Sequence, residues 1–215
     1  MTRVKICGIT RLEDAQHAAA CGAEMLGFNF YRKSPRYISP EEARKITSSL
    51  PSTVETVGVF VNETSPDAVR EIANLAGVTS VQLHGDETPE YCAALEDLHV
   101  IKALRVSERF DFANLSRFSS YRILLDSPSP SFGGSGEKFD WQIARRVRTE
   151  VPRLILAGGL DGRSAEQAIQ AVNPDVLDAC SLLEKSPGIK DPEKVARFIA
   201  ATHAERIRIA QKRVE

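Results

Sequence analysis

Four cysteines in 215 residues, Cys7, Cys21, Cys92 and Cys180, are scattered, and no two form a C-x-x-C pair. That spacing argues against structural zinc and against a disulfide framework, and it predicts a reducing, cytoplasmic setting. The formal net charge is only -1, so no basic excess points to nucleic acid or an anionic membrane surface. No run approaches the ~20 apolar residues of a membrane helix, and no signal-peptide pattern is expected in Arg3 to Lys5 and the residues after them. No G-x-G-x-x-G follows the first strand-like run, which disfavours an open dinucleotide-binding sheet. What remains is an ordinary globular composition, 42% hydrophobic and 27% charged, long enough to bury a sizeable core.

Against these absences the chain shows a monotonous alternation. Strand-like runs fall at residues 4–8, 24–30, 56–62, 80–85, 100–106, 122–127, 153–159 and 175–180. Helical patterns lie between and after them: 12–20, 40–50, 66–76, 89–98, a weaker one near 107–118, 140–150, 164–172, and a last one from Asp191 onward. Ser39-Pro40, Ser65-Pro66 and Thr88-Pro89 each set a capping hydroxyl before a proline at the first helical position. Eight strand–helix units with short β-branched strands predict parallel pairing, and in one chain of this length a single (β/α)8 barrel domain over residues 1–215.

Such a barrel carries its chemistry on the loops at the C-terminal ends of its strands. The unusual residues of this sequence collect there: Cys7, Asn29, Asn62, Gln82, His84, Arg105, Asp126, Gly158-Gly159 and Ser181. Alternation places Lys5 and Cys7 on one face of the first strand, an odd choice for a core, and Leu124 and Asp126 on one face of the sixth. Cys7 and Asp126 are therefore expected to meet in the barrel mouth. Two glycine clusters, Gly133-Gly134-Ser135-Gly136 and Gly158-Gly159, together with Ser181, offer backbone N–H groups where barrels often hold a phosphate. A phosphorylated small molecule is the predicted substrate. Trp141 is expected to pack at the start of the sixth helix, and Cys21 and Cys92 read as packing residues.

The runs Val4-Lys5-Ile6-Cys7-Gly8, Gly27-Phe28-Asn29-Phe30, Ser34-Pro35-Arg36-Tyr37, Val81-Gln82-Leu83-His84-Gly85, Leu125-Asp126-Ser127 and Ala157-Gly158-Gly159-Leu160 stand in this order along nearly the whole chain. Together with Gly133 to Gly136 and Phe139-Asp140-Trp141, the sequence resembles the phosphoribosylanthranilate isomerase family. The resemblance implies an Amadori rearrangement of an aminoaldose to an aminoketose in tryptophan biosynthesis. It implies Cys7 as general base, Asp126 as general acid and Arg36 as the group holding the anthranilate carboxylate. Substrate contacts are expected from Gln82, His84, Gly134, Ser135, Gly158, Gly159 and Ser181. No metal or organic cofactor is called for, because the rearrangement is redox-neutral and needs only proton transfers. The expected partner is a small phosphorylated substrate, with no nucleic acid or membrane; the oligomeric state is left open. Lys5 is expected to be the cation that holds Cys7 as a thiolate, and burial is expected to keep Asp126 protonated.

Departures from the family pattern gather at the phosphate site. Where the family reads Gly-Gly-Thr-Gly-Lys, this chain has Ser135 and Glu137, with Lys138 one position late. Where the family reads Asp-x-Ser-Ser-Gly-Val-Glu, it has Asp178-Ala179-Cys180-Ser181-Leu182-Leu183-Glu184. At ~5 Å from a phosphate charge, Glu137 would cost ~3 kcal/mol at an effective dielectric of 20, so it is expected to turn outward. Leu182 would cost ~1–2 kcal/mol if its position demands a left-handed backbone. A barrel that binds a phosphosugar without turning it over is the alternative those two residues motivate; the presence of both Cys7 and Asp126 speaks against it, and a divergent but catalytic member is expected. Use of a second, histidine-pathway aminoaldose is disfavoured by Cys7, because paired aspartates are expected there.

Overall fold

A computed structural model describes residues 2–106, 110–126 and 141–212. Eight parallel strands close on themselves in sequence order. They are β1 (Arg3–Ile6), β2 (Met25–Asn29), β3 (Glu55–Phe60), β4 (Ser80–Leu83), β5 (His99–Arg105), β6 (Arg122–Asp126), β7 (Arg153–Ala157) and β8 (Val176–Ala179). Closure is made by β1 against β8, where Arg3, Val4, Lys5 and Ile6 pair with Val176, Leu177, Asp178 and Ala179. Helices follow the strands: α1 (Leu12–Cys21), α2 (Pro40–Thr47), α3 (Pro66–Ala76), α4 (Pro89–Ala93), α5 (Phe112–Ser116), α6 (Trp141–Glu150), α7 (Ala165–Val172) and α8 (Pro192–Lys212). The expected barrel is the observed one.

The two faces of each strand do different work. Outward-facing Val4, Ile6, Leu26, Phe28, Val81, Leu83, Ile123, Leu125, Leu154 and Leu156 join the helices in one large buried cluster. Inward-facing Met25, Val57, Ile101, Ala103, Leu124, Ile155, Ala157 and Val176 fill the barrel itself. At its N-terminal end the barrel is closed by charge. Glu55 accepts from Arg122 at 2.5 Å, from Ser80 Oγ at 2.6 Å and from Arg3 at 3.3 Å. Burial would raise the Glu55 carboxyl, but these donors outweigh it and hold its pKa below the usual range.

The three proline-led helix starts are built as their sequences predict. Ser39 and Glu42 form a reciprocal capping box, Ser65 Oγ accepts from Ala68 N at 3.2 Å, and Thr88 Oγ1 accepts from Tyr91 N at 3.2 Å. Two elements differ from expectation. The helix expected over 89–98 stops at Ala93, because Leu95 N, Glu96 N and Leu98 N reach back three residues rather than four, tightening the chain into turns that bury Leu95 before β5. After β8 the chain adds elements that period alone does not reveal: a short 3-10 turn (Ser181–Leu183) and a hairpin of β9 (Glu184–Ser186) and β10 (Ile189–Lys190). Strands also end earlier than expected at the rim. Gly8, Gly158 and Gly159 have positive φ, at 74°, 97° and 61°, which an extended strand does not accommodate.

Candidate active site

The strand ends converge on a pocket of about 410 Å³ at the C-terminal mouth of the barrel. Cys7, Arg36, Gln82, His84, Asp126, Gly158, Gly159 and Ser181 all line it, joined by Asn29, Asp178, Cys180 and Leu182. Gly134, Ser135, Glu137 and Lys138 lie outside the described residues. A larger cavity, about 870 Å³, opens at the opposite end around Glu55, His99, Arg122 and Arg153; it contains none of the residues that sequence points to.

Lys5 lies inside the barrel, fully buried, with Nζ 3.0 Å from Asp178 Oδ2. One cation therefore faces two potential anions, the Asp178 carboxyl and the Cys7 thiol just above it. Burial works against the charge on Lys5, but Asp178 and Cys7 together outweigh it and raise its pKa, so the ammonium persists. Burial pushes Asp178 up to about 7 against the pull of Lys5, with the charges of Cys7 and Asp126 adding to the rise. The Cys7 thiol moves the other way. The adjacent Cys180 thiol is the largest influence, and with the Lys5 and Lys190 cations it overcomes burial and holds Cys7 well below the ordinary thiol range. Lys5 thus contributes to the thiolate as expected, together with the neighbouring thiol.

Glycine makes room for this arrangement. A Cβ at Gly27, on the adjacent strand, would stand 2.8 Å from Cys7 Sγ and 3.1 Å from Lys5 Nζ. A Cβ at Gly8 would meet Arg36 Cδ at 2.7 Å and Cys180 Sγ at 2.9 Å. Both glycines leave space that the functional side chains fill.

Across the mouth, Asp126 ends β6 on the same inward face as Leu124. The Gln82 amide Nε2 lies 2.8 Å from His84 Nδ1, and His84 Nε2 lies 3.3 Å from Asp126 Oδ2. An amide donor at Nδ1 makes that nitrogen the acceptor and puts the imidazole proton on Nε2, facing the carboxylate. Gln82 and His84 therefore line the pocket and also orient Asp126. The Asp126 carboxyl is only half-buried, so the deep burial expected of it is not present. Two buried polar atoms among the described residues have no protein partner and belong to residues that line the pocket: Gln82 Oε1 and Asp178 Oδ1.

Arg36 arrives on the loop after β2, which Asn29 organises. Asn29 Oδ1 accepts from Tyr31 N at 2.9 Å, its Nδ2 donates to Ser34 Oγ at 3.2 Å, and Ser34 Oγ accepts from Arg36 N at 3.1 Å. The guanidinium is gripped from behind: Nε and Nη2 donate to Glu184 Oε1 and Oε2 at 2.8 and 2.7 Å. Lys190 Nζ, 2.9 Å from Glu184 Oε1, and Gly188 N, at 3.3 Å, complete the hold on that carboxylate. Burial would raise Glu184, but Arg36 and Lys190 outweigh it and keep its pKa low. The hairpin of β9 and β10 thus holds the carboxylate that grips the Arg36 guanidinium.

Sequence reasoning passed over Asp178, Cys180, Glu184 and Lys190 as site residues. For the first two a signal was available: alternation places a polar pair on one face at the end of an apolar strand, as with Lys5 and Cys7. For Lys190 none was, since only the hairpin brings it back. One expectation is overturned. Positive φ at a non-glycine residue occurs only at Asn62 and Asn173 among the described residues, so Leu182 carries no left-handed strain. It opens the 3-10 turn with Ser181 and lines the pocket instead. Asn62 also serves elsewhere: its Oδ1 accepts from Asp86 N at 2.7 Å and braces the loop after β4.

Comparison with known proteins agrees with this geometry. Residues 4–201 match the family model described as N-(5'phosphoribosyl)anthranilate (PRA) isomerase. The N-(5'-phosphoribosyl)anthranilate isomerase of Thermotoga neapolitana is 48% identical over 200 residues, covering 93% of this chain and 97% of that protein. The enzyme of the same name from Citrifermentans bemidjiense is 49% identical over 201 residues, covering 93% and 96%. The crystal structure of the phosphoribosyl anthranilate isomerase from Thermotoga maritima superposes with a TM-score of 0.89 at 43% identity, covering 95% of this chain and all of that one. A second crystal structure, of a phosphoribosyl anthranilate isomerase in complex with reduced 1-(o-carboxyphenylamino)-1-deoxyribulose 5-phosphate, gives 0.87 at 41% identity, with 95% and 100% coverage. With the same barrel, and near-half identity across almost its whole length, the chain belongs to the N-(5'-phosphoribosyl)anthranilate isomerase family.

Proposed function

We propose that this protein converts N-(5'-phosphoribosyl)anthranilate to 1-(2-carboxyphenylamino)-1-deoxyribulose 5-phosphate, with Cys7 as general base and Asp126 as general acid. The observation that carries the reading is that the Cys7 thiol after β1 and the Asp126 carboxyl at the end of β6 line one pocket, together with an anchored guanidinium and a glycine turn. Asp126 delivers a proton to the ribose ring oxygen, the C1–O bond breaks, and the anilino nitrogen forms an iminium with C1. The iminium acidifies the C2–H, and the Cys7 thiolate takes that proton, leaving an enolamine. C1 then gains a proton and the C2 hydroxyl loses one, so the sum is an isomerisation with no net proton or electron change. These are proton transfers by positioned groups, worth about 10²–10⁴-fold in rate.

The remaining contacts follow from chemistry. Arg36 spends one edge of its guanidinium on Glu184 and keeps Nη1 for the anthranilate carboxylate. Gly158 and Gly159, two consecutive positive-φ residues, present backbone to the phosphate, with Ser181 beside them. The orphan oxygens Gln82 Oε1 and Asp178 Oδ1 are acceptors suited to the sugar hydroxyls. With the substrate generated in place from anthranilate and phosphoribosyl pyrophosphate, Cys7→Ala and Asp126→Asn each lower turnover by about 10²-fold or more. Binding of the substrate without turnover by the unaltered protein would replace this reading with that of a phosphosugar-binding barrel.

A further inference from the structure

Cys180 has no step in the reaction above, yet it is built into the site beside the proposed base. Cys7 N donates to Ala179 O at 2.9 Å. That bond carries the β1–β8 ladder one step past its last register pair, Ile6 with Ala179, and brings Cys7 opposite Cys180. Strand spacing then sets the two Cα atoms ~5 Å apart, within the roughly 4.4–6.8 Å that a disulfide spans. Both thiols line the same pocket. Cys180 Sγ lies over Gly8 and Cys7 Sγ over Gly27, in the spaces those glycines leave. Lys190 Nζ stands 3.8 Å from Cys180 Sγ.

We propose that Cys7 and Cys180 form a reversible disulfide when the protein meets a peroxide, closing the site until a thiol reductant reopens it. The order of events follows from the surroundings. Cys7 attacks first as the thiolate: its sulfur bonds to one peroxide oxygen, the O–O bond breaks, and the departing hydroxide takes a proton to become water. Cys7 is then a sulfenic acid. While Cys7 is anionic, its hydrogen bond and charge, with burial, hold the proton on Cys180. Sulfenic acid formation removes that anion; burial still opposes the Cys180 thiolate, whereas Lys190 and Arg36 favour it and Glu184 Oε1, 3.9 Å from Cys180 Sγ, stands ready to accept the proton. The Cys180 sulfur attacks the Cys7 sulfur, the S–O bond breaks, and hydroxide leaves with the Cys180 proton as a second water. Two thiols and one peroxide give one disulfide and two waters, so atoms and electrons balance.

The other thiols do not compete from where they sit. Burial pushes Cys92 up to about 11, and Cys21 is on α1, 3.5 Å from His17, outside the pocket. The loss of turnover rests on Cys7 being the base; the cross-link does not, and the two are measured separately. After hydrogen peroxide treatment and alkylation, digestion without reductant yields a Cys7–Cys180 peptide pair lighter by the two hydrogens lost. Turnover falls about tenfold or more and returns with dithiothreitol. Cys21→Ser behaves the same way. In Cys180→Ser, or Cys180→Ala should the serine variant fold poorly by circular dichroism, peroxide carries Cys7 to the sulfinic acid and dithiothreitol restores nothing. Peroxide damage with no Cys7–Cys180 pair overturns the proposal, as does equal recovery in the Cys180 variants. A cross-link that leaves turnover intact overturns the switch. Turnover that survives Cys7→Ala is a different failure, that of Cys7 as the base.

Discussion

In the proposed reaction Cys7 can serve as the base only because of what stands beside it. A free thiol titrates near ~8.5, whereas Cys7 sits lower through Cys180 first and then Lys5 and Lys190. The base must be deprotonated to act, so a lowered pKa extends activity toward acid. Replacing Cys180 with Ala removes the largest of these influences, and the acid limb of the kcat/KM profile moves to higher pH. Lys5→Met, which removes a buried cation and a hydrogen-bond donor, shifts it the same way. Unmoved limbs in both variants would mean that neither group holds the thiolate. Arg36 shows the same dependence on a neighbour. In Glu184→Gln the guanidinium loses a charged, two-point partner, and such charge-assisted bonds contribute about 1.5–3 kcal/mol. Steady-state kinetics then show KM rising more than kcat falls, since the loss is one of substrate orientation.

At the scale of elements, strands β1 and β2 are matched to each other through an absence of side chain. Alanine at Gly27 would place its methyl 2.8 Å from Cys7 Sγ and 3.2 Å from Cys7 Cα, and backbone on that strand has nowhere to move. Overpacking of this kind costs about 1–3 kcal/mol. Gly27→Ala therefore lowers the unfolding free energy in urea titration by that amount and also cuts turnover, because the displaced atom is the proposed base; normal turnover in a destabilised variant would separate the two roles. The helix starts at Ser39, Ser65 and Thr88 and the eight strands were all legible from residue types, since capping and alternation act within a few residues. The hairpin of β9 and β10 was not legible. Lys190 matters because its ammonium reaches Glu184, a contact that no periodicity announces, and the short stop of α4 likewise reflects the burial of Leu95 rather than local preference.

The whole barrel carries a charge in its middle. Lys5 and Asp178 pair within the interior at 3.0 Å, and removing one partner of such a pair costs about 3–5 kcal/mol because the other stays buried and uncompensated. Lys5→Met lowers stability by that amount in urea titration. Asp178 gives the pair a pH dependence. Its folded pKa, about 7, lies above the ordinary carboxylate value, so the folded state holds the proton more tightly than the unfolded one. That contribution is complete below ~pH 4 and is lost as pH rises through about 7. The urea midpoint of the unaltered protein therefore falls between about pH 4 and pH 7 relative to Asp178→Asn and levels off above. A difference that stays constant over this range would place the titration elsewhere.

The order of strands and helices, the gathering of the strand-end polar residues at one rim, and the shared pocket of Cys7 and Asp126 followed from the sequence alone. Alternation and capping are local rules, and closure of eight units leaves one mouth for every strand end. Which groups tune those residues was decided by the tertiary structure. Lys5 with Asp178, Cys7 with Cys180 and Arg36 with Glu184 are separated by about 150 residues or more in the chain. They become neighbours only when β1 closes against β8, and the strength of a charge depends on what the fold has buried beside it.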